Sequence, residues 1–105
     1  MNQSVVGSGS DATQPELPQS FSILDGEDQV TIGQDAVTLF EKTRLGTRRT
    51  QLGYHEINHI DYSEGDEADE IVLRSAVKNA IRIGPIAKED GKRCYEIISQ
   101  LYSKK

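Results

Sequence analysis

Residues 70–84 read EIVLRSAVKNAIRIG and residues 92–102 read KRCYEIISQLY. The first segment has a period of two: Ile71, Leu73, Ser75 and Val77 alternate with Val72, Arg74, Ala76 and Lys78. Strand side chains alternate between faces, so this pattern predicts a half-buried strand. Lys78-Asn79 then allows a tight turn, and Ile81 with Ile83 forms a partner strand that ends at Gly84-Pro85. In the second segment the period lengthens. Cys94, Ile97, Ile98 and Leu101 stand at i, i+3, i+4 and i+7, the stripe of an amphipathic helix. Lys92, Arg93, Glu96 and Gln100 form its polar face, with Tyr95 and Tyr102 on the margin. A glycine inside a helix costs about 1 kcal/mol relative to alanine, so the turn from Lys88 to Gly91 is expected to fray.

Working back toward the N-terminus, short alternating runs separated by turn residues predict successive strands. Phe21 and Ile23 alternate before a turn at Asp25-Gly26, and Val30 and Ile32 alternate before Gly33. Val37 and Leu39 form the next run, with Phe40 on the opposite face. Thr43 to Gly46 reads as a hairpin turn, with Gly46 suited to a positive φ. The return strand, Thr47 to Gly53, is polar apart from Leu52, so it is expected to be exposed or at an edge. Ile57 and Ile60 are spaced by three, which fits either a helical turn or an irregular strand entry. The acidic run from Asp61 to Glu70 is expected to be a solvated loop. Seven candidate strands and a C-terminal amphipathic helix make the fold class mainly β, a bent antiparallel sheet or partly open barrel capped by the helix. Residues 1–20 are rich in Ser, Gly, Gln, Asn and Pro and predict a disordered tail, leaving 21–105 as the domain.

The chain has 105 residues, a net charge of -5 and one cysteine. This length fits one small domain. No apolar run approaches the ~20 residues that a membrane-crossing helix needs. Met1 to Ser10 lack a basic start followed by an apolar stretch, so the cytoplasm is the expected compartment. Charge is distributed in blocks: -7 over 1–41, +3 over 42–60, -6 over 61–70 and +5 over 71–105. An acidic whole repels nucleic-acid phosphates, so an anion site must be local, and the compact basic cluster is 42–49. The four tyrosines and two phenylalanines do not interleave with bases as a nucleotide-stacking surface would.

The hairpin AVTLFEKTRLGTRRTQLGYHEINHIDY (36–62), followed by EIVLRSAVKNAIRIG and KRCYEIISQLY, resembles the pleckstrin-homology superfold, particularly its small bacterial relatives. The resemblance implies that the loops after strands one, three and six gather at one rim. Here these are Asp25 to Asp28, Thr43 to Gly46, and Lys78-Asn79. It also implies a ligand cradle made by Lys42, Arg44, Arg48, Arg49 and Lys78, fit for a phosphate or a carboxylate-bearing peptide. Asp25, Glu27 and Asp28 stand where a phosphoinositide site wants bases, which disfavours phosphoinositides and favours a protein or acidic peptide. Self-assembly through the same strand edges is the alternative, since small relatives of this fold form rings.

His55-Glu56-Ile57-Asn58-His59 fits H-E-x-x-H letter for letter. On a helix, His55 and His59 would ligate zinc while Glu56 took a proton from the bound water. This is a second alternative, a small zinc hydrolase. A third ligand is required, and these are the only two histidines in the chain. The expectation is therefore a coincidental match, with both histidines on a loop margin, no cofactor and no catalytic residue. Cys94, on the apolar helix face, is expected to be a buried inert thiol. Gly7-Ser8-Gly9-Ser10 lacks the lysine and helix of a phosphate-binding loop.

Overall fold

The computed structural model describes residues 16–24 and 26–103. Strands β1 (Gln19–Ser22), β2 (Gln29–Ile32), β3 (Ala36–Thr43) and β4 (Gly46–Gly53) precede a single 3-10 turn at Tyr54–Glu56. Strands β5 (His59–Glu64), β6 (Ala68–Arg74) and β7 (Ile81–Ala87) follow, and then helix α1 (Lys88–Ser103). β1 to β4 form one antiparallel sheet in chain order, and β5 to β7 form a second. The expected class is thus present among the described residues: seven antiparallel strands and one C-terminal helix, in two sheets that are not closed into a barrel.

Strand alternation decides what is buried. In the first sheet, Phe21 faces Val30, Val30 faces Leu39, and Ile32 faces Val37, which faces Leu52. In the second, Ile71 faces Ile83 and Leu73 faces Ile81. All of these side chains are buried in one core. Helix α1 adds Cys94, Ile97 and Ile98, and burial of each isoleucine contributes roughly 1.5–3 kcal/mol relative to exposure. Tyr54, inside the core, donates its hydroxyl to the Gly33 carbonyl at 2.7 Å and pins the 3-10 turn to the β2–β3 turn.

Three local expectations are corrected. The acidic run 61–70 is not a loop: it is most of β5 and the start of β6, joined by a turn at 65–67. Three of its six acids are partnered in strand positions, while Glu64, Asp66 and Glu67 are exposed around the turn. Asp61 accepts Arg74 Nε at 2.6 Å, Glu70 accepts Arg82 Nη1 at 3.1 Å, and Asp69 is sealed from solvent. The strand expected through Val77 stops at Arg74, because Ser75 Oγ accepts the amides of Val77 and Lys78 and turns the chain. Val77 is therefore 74% exposed rather than in the core. The first turn of α1 is formed and Gly91 is buried in it. A Cβ at Gly91 would lie 3.0 Å from Asp69 Cβ and 3.3 Å from Ile86 Cγ2, so the glycine is what lets the helix approach the second sheet.

β1 starts at Gln19, and Leu17 packs partly on the core, so the described chain enters the segment assigned to the tail. The rest of that tail, the Gly7–Ser10 run and Asp25 lie outside the described residues. Among the described residues no helix is long and apolar enough to cross a membrane.

Asp69 joins the helix to the sheet. It accepts the Tyr62 hydroxyl at 2.5 Å and Lys88 Nζ at 2.9 Å, while Tyr62 stacks on Tyr95 with ring centroids 4.8 Å apart. The Tyr62 hydroxyl first, and Lys88 second, hold the Asp69 carboxyl below its usual value of 3.8. Burial, with Asp69 beside it, pushes Tyr62 from 10.0 up to about 12. A lowered acid stabilises the fold above its unfolded pKa, and a raised one stabilises it below its unfolded pKa. Stability is therefore expected to fall as pH drops below 3.8 and again as it rises from 10.0 toward about 12. In urea titrations across pH, Tyr62→Phe should make the alkaline fall shallower; an unchanged alkaline limb would contradict the linkage. Gly91→Ala gains helix propensity but overpacks against Asp69. A net loss of about 1 kcal/mol is expected in chemical denaturation, and a gain would show that the contact is loose.

Candidate functional site

β3 and β4 pair over eight rungs, from Ala36 with Gly53 to Thr43 with Gly46. Only the proximal half reaches the core, through Val37, Leu39 and Leu52. Beyond the Leu39–Thr50 rung, Phe40 and Glu41 are half-buried, four bases follow from Lys42 to Arg49, and Gly46 to Arg49 are all exposed. At the tip, Gly46 has φ +139°, a conformation that glycine tolerates best. Thr43 Oγ1 donates to the Gly46 carbonyl at 3.0 Å and accepts the Leu45 amide at 3.3 Å, which fixes a fully exposed Leu45.

The structure separates the five predicted basic residues into two groups. Lys42, Arg44, Arg48 and Arg49 share the distal hairpin. Arg48 donates from Nε and Nη2 to Glu41 Oε1, at 3.2 and 3.1 Å. Arg49 stands opposite Phe40, and Lys42 opposite Thr47. Among the described residues no carboxylate pairs with the side chains of Lys42, Arg44 or Arg49. Lys78 is held elsewhere: its Nζ lies 2.9 Å from Glu56 Oε2, near the proximal end of β4.

The neighbouring loops do approach the hairpin. Asp28 Oδ1 accepts the Lys42 amide at 2.9 Å. Asn79 and Ala80 join Asp28, Arg48 and Arg82 around a groove of about 440 Å³ floored by Ile23 and Leu39. On the opposite face, Phe40, Lys42, Thr47 and Glu27 line a depression of about 490 Å³. The rim implied by the loop order is therefore mixed in charge, with bases on the hairpin and acids on the β1–β2 loop.

The H-E-x-x-H segment has a different role. Tyr54–Glu56 form one 3-10 turn, and His59 opens β5, so His55 and His59 do not share a helix face. Glu56 Oε1 accepts the Gly53 amide at 2.8 Å and Oε2 binds Lys78, which occupies both carboxylate oxygens. The Gly53 amide first, and Lys78 next, hold its carboxyl below the usual range. His59 Nε2 lies 2.8 Å from Asp61 Oδ1, a surface contact that also takes in Arg74. Among the described residues no group of three or more His, Cys, Asp or Glu side chains is placed to hold a metal ion. Cys94 is buried, and burial raises its thiol pKa to about 12, far from a nucleophile's.

Sequence reasoning missed the Glu56 cap and the exposed Leu45. The cap had a local signal, a glutamate three residues after the glycine that ends a strand. No family model matches the chain, and no curated protein or solved structure matches it.

If Glu56 is a strand stop, Glu56→Ala should lower the melting temperature more than Glu56→Gln, which keeps an acceptor for the Gly53 amide. Equal effects would contradict the capping role. Because the carboxyl is held low, its stabilising contribution is full above the ordinary glutamate pKa of 4.5 and is lost as pH falls below it.

Proposed function

We propose that this chain is a non-catalytic binding module, PH-like in architecture, that holds an acidic peptide segment of a protein partner on the distal β3–β4 hairpin. The observation that carries the reading is the unpaired charge there. Arg74, Lys78, Arg82 and Lys88 each have a carboxylate partner within the fold; among the described residues Lys42, Arg44 and Arg49, like Lys92 and Arg93 on α1, have none, and the hairpin three stand beside a fourth base, Arg48. These three bases project from a rigid hairpin past the core, where a partner's carboxylates meet little desolvation cost. The PH-like reading is supported by sheets of four and three strands followed by a C-terminal helix. The acidic β1–β2 loop, with Glu27 and Asp28 beside Lys42, opposes a polyphosphate headgroup more than a peptide that can thread between the charges. We take the cytoplasm as the compartment in which this module acts.

Self-assembly is the second reading. Glu64, Asp66 and Glu67 are exposed around the β5–β6 turn and complement the basic hairpin of another copy. Light scattering separates the two, since self-assembly gives a defined oligomer without any partner.

Hexaglutamate is a suitable probe of the first reading. The triple reversal K42E/R44E/R49E should weaken its binding at least tenfold, since exposed ion pairs contribute about 0.2–1 kcal/mol each and the reversal adds repulsion. The melting temperature should shift by no more than a few degrees, because these side chains lie outside the core. Unchanged affinity would refute the assignment of the hairpin.

A further inference from the structure

The backbone of β4 says how such a segment would be held. Tyr54 donates its amide to the Asp35 carbonyl at 3.2 Å, one rung past the Ala36–Gly53 pair. Hydrogen-bonded and non-hydrogen-bonded rungs alternate along an antiparallel pair. Leu52, Thr50 and Arg48 therefore bond β3, and the backbone groups of Thr47, Arg49, Gln51 and Gly53 face away from it. The Gly53 amide fits this parity, because its partner is the Glu56 carboxylate on the far side, at 2.8 Å. β4 is the last strand of its sheet. Its outward groups are thus closed at Gly53 by a side chain and left open at Thr47, Arg49 and Gln51.

An open edge is a template for another strand. A second β4 fits it poorly: pairing two copies antiparallel around Arg49 sets guanidinium against guanidinium. An acidic strand fits it well. The side chains of Arg49 and Lys42 share one face of the sheet, with Phe40 between β4 and β2, and among the described residues Arg49 has no carboxylate partner. On the opposite face, Thr50 and Arg48 border the groove over Leu39, which suits a β-branched residue.

We propose that the partner's acidic segment adds to β4 as a fifth strand between Thr47 and Gln51, with acids on alternate residues facing Arg49 and the Glu56 cap marking where pairing stops. This rests on the reading of the hairpin as an acidic-peptide site and specifies its main-chain recognition. At about 3.4 Å per residue the open edge accommodates a segment of about five or six residues.

The probe is a blocked hexapeptide of alternating glutamate and valine, added to the full chain labelled with nitrogen-15. Amide exchange at Thr47, Arg49 and Gln51 should slow at least tenfold on binding, while Arg48 and Thr50, already bonded to β3, stay unchanged. Two N-methylated versions, one blocked at the glutamates and one at the valines, keep the charge. One should lose at least tenfold in affinity and the other much less. Equal binding of all three peptides, without alternate protection, would overturn strand addition and leave the charged hairpin as the site. Absence of binding by any peptide would overturn both. Alternate protection appearing without peptide, together with a dimer in light scattering, would assign the edge to a second copy and overturn the acidic occupant.

Discussion

A carboxylate sealed from solvent ties the second sheet to the helix. Asp69 takes the Tyr62 hydroxyl and the Lys88 ammonium, and the missing side chain of Gly91 lets the helix pass over it. Buried polar groups are tolerable only when they are bonded, so these partners have to be assembled together. With the helix so placed, Cys94, Ile97 and Ile98 are held against the core beneath both sheets. The seven short strands then need no closed barrel, because the helix covers apolar surface that the sheets leave open.

The same geometry leaves part of the first sheet without a role in the core. β3 and β4 run on past Leu39 and Thr50, and what they carry there is mostly basic and exposed, held by the backbone ladder, the Glu41–Arg48 pair and the Asp28 carboxylate on the Lys42 amide. The backbone of the extension is held by the ladder and by Thr43 closing the tip, so its bases are kept close together in space. Glu56 completes the arrangement from the other end, where it closes the edge of β4 at Gly53 and is itself held by Lys78. The three letters that make the segment resemble a zinc motif are thus divided between a 3-10 turn and a strand, and the glutamate is spent on backbone.

Much of the fold was legible because period-two alternation is strong wherever one face is buried. Val30 and Ile32, Val37 and Leu39, and Ile81 and Ile83 all point where their spacing predicts. The helix stripe was equally plain. The failures share a cause: a charged or polar residue did something other than face water. Asp69 keeps the parity of Ile71 and Leu73 and is buried with them, yet its charge made 61–70 read as a loop. Ser75 keeps that parity too but spends its hydroxyl on the turn, which ended the strand early. Gly91 read as a weak point in the helix because the neighbour that requires it is distant in sequence. For the site, the sequence located the basic cluster at 42–49. It could not show that Lys78 leaves that cluster for Glu56, since this depends on a contact between the β6–β7 loop and the 3-10 turn.

On the proposed reading, the distal hairpin is dispensable for folding and required for recognition. Replacing residues 42–47 by Asn-Gly, closing Glu41 to Arg48 with Arg49→Thr, keeps the hydrogen-bonded Glu41–Arg48 rung while removing the array. Calorimetry should then show a cooperative transition within a few degrees of the parent chain and no detectable binding of hexaglutamate. Binding retained at the parent affinity, or a shortened chain that no longer folds, would contradict it.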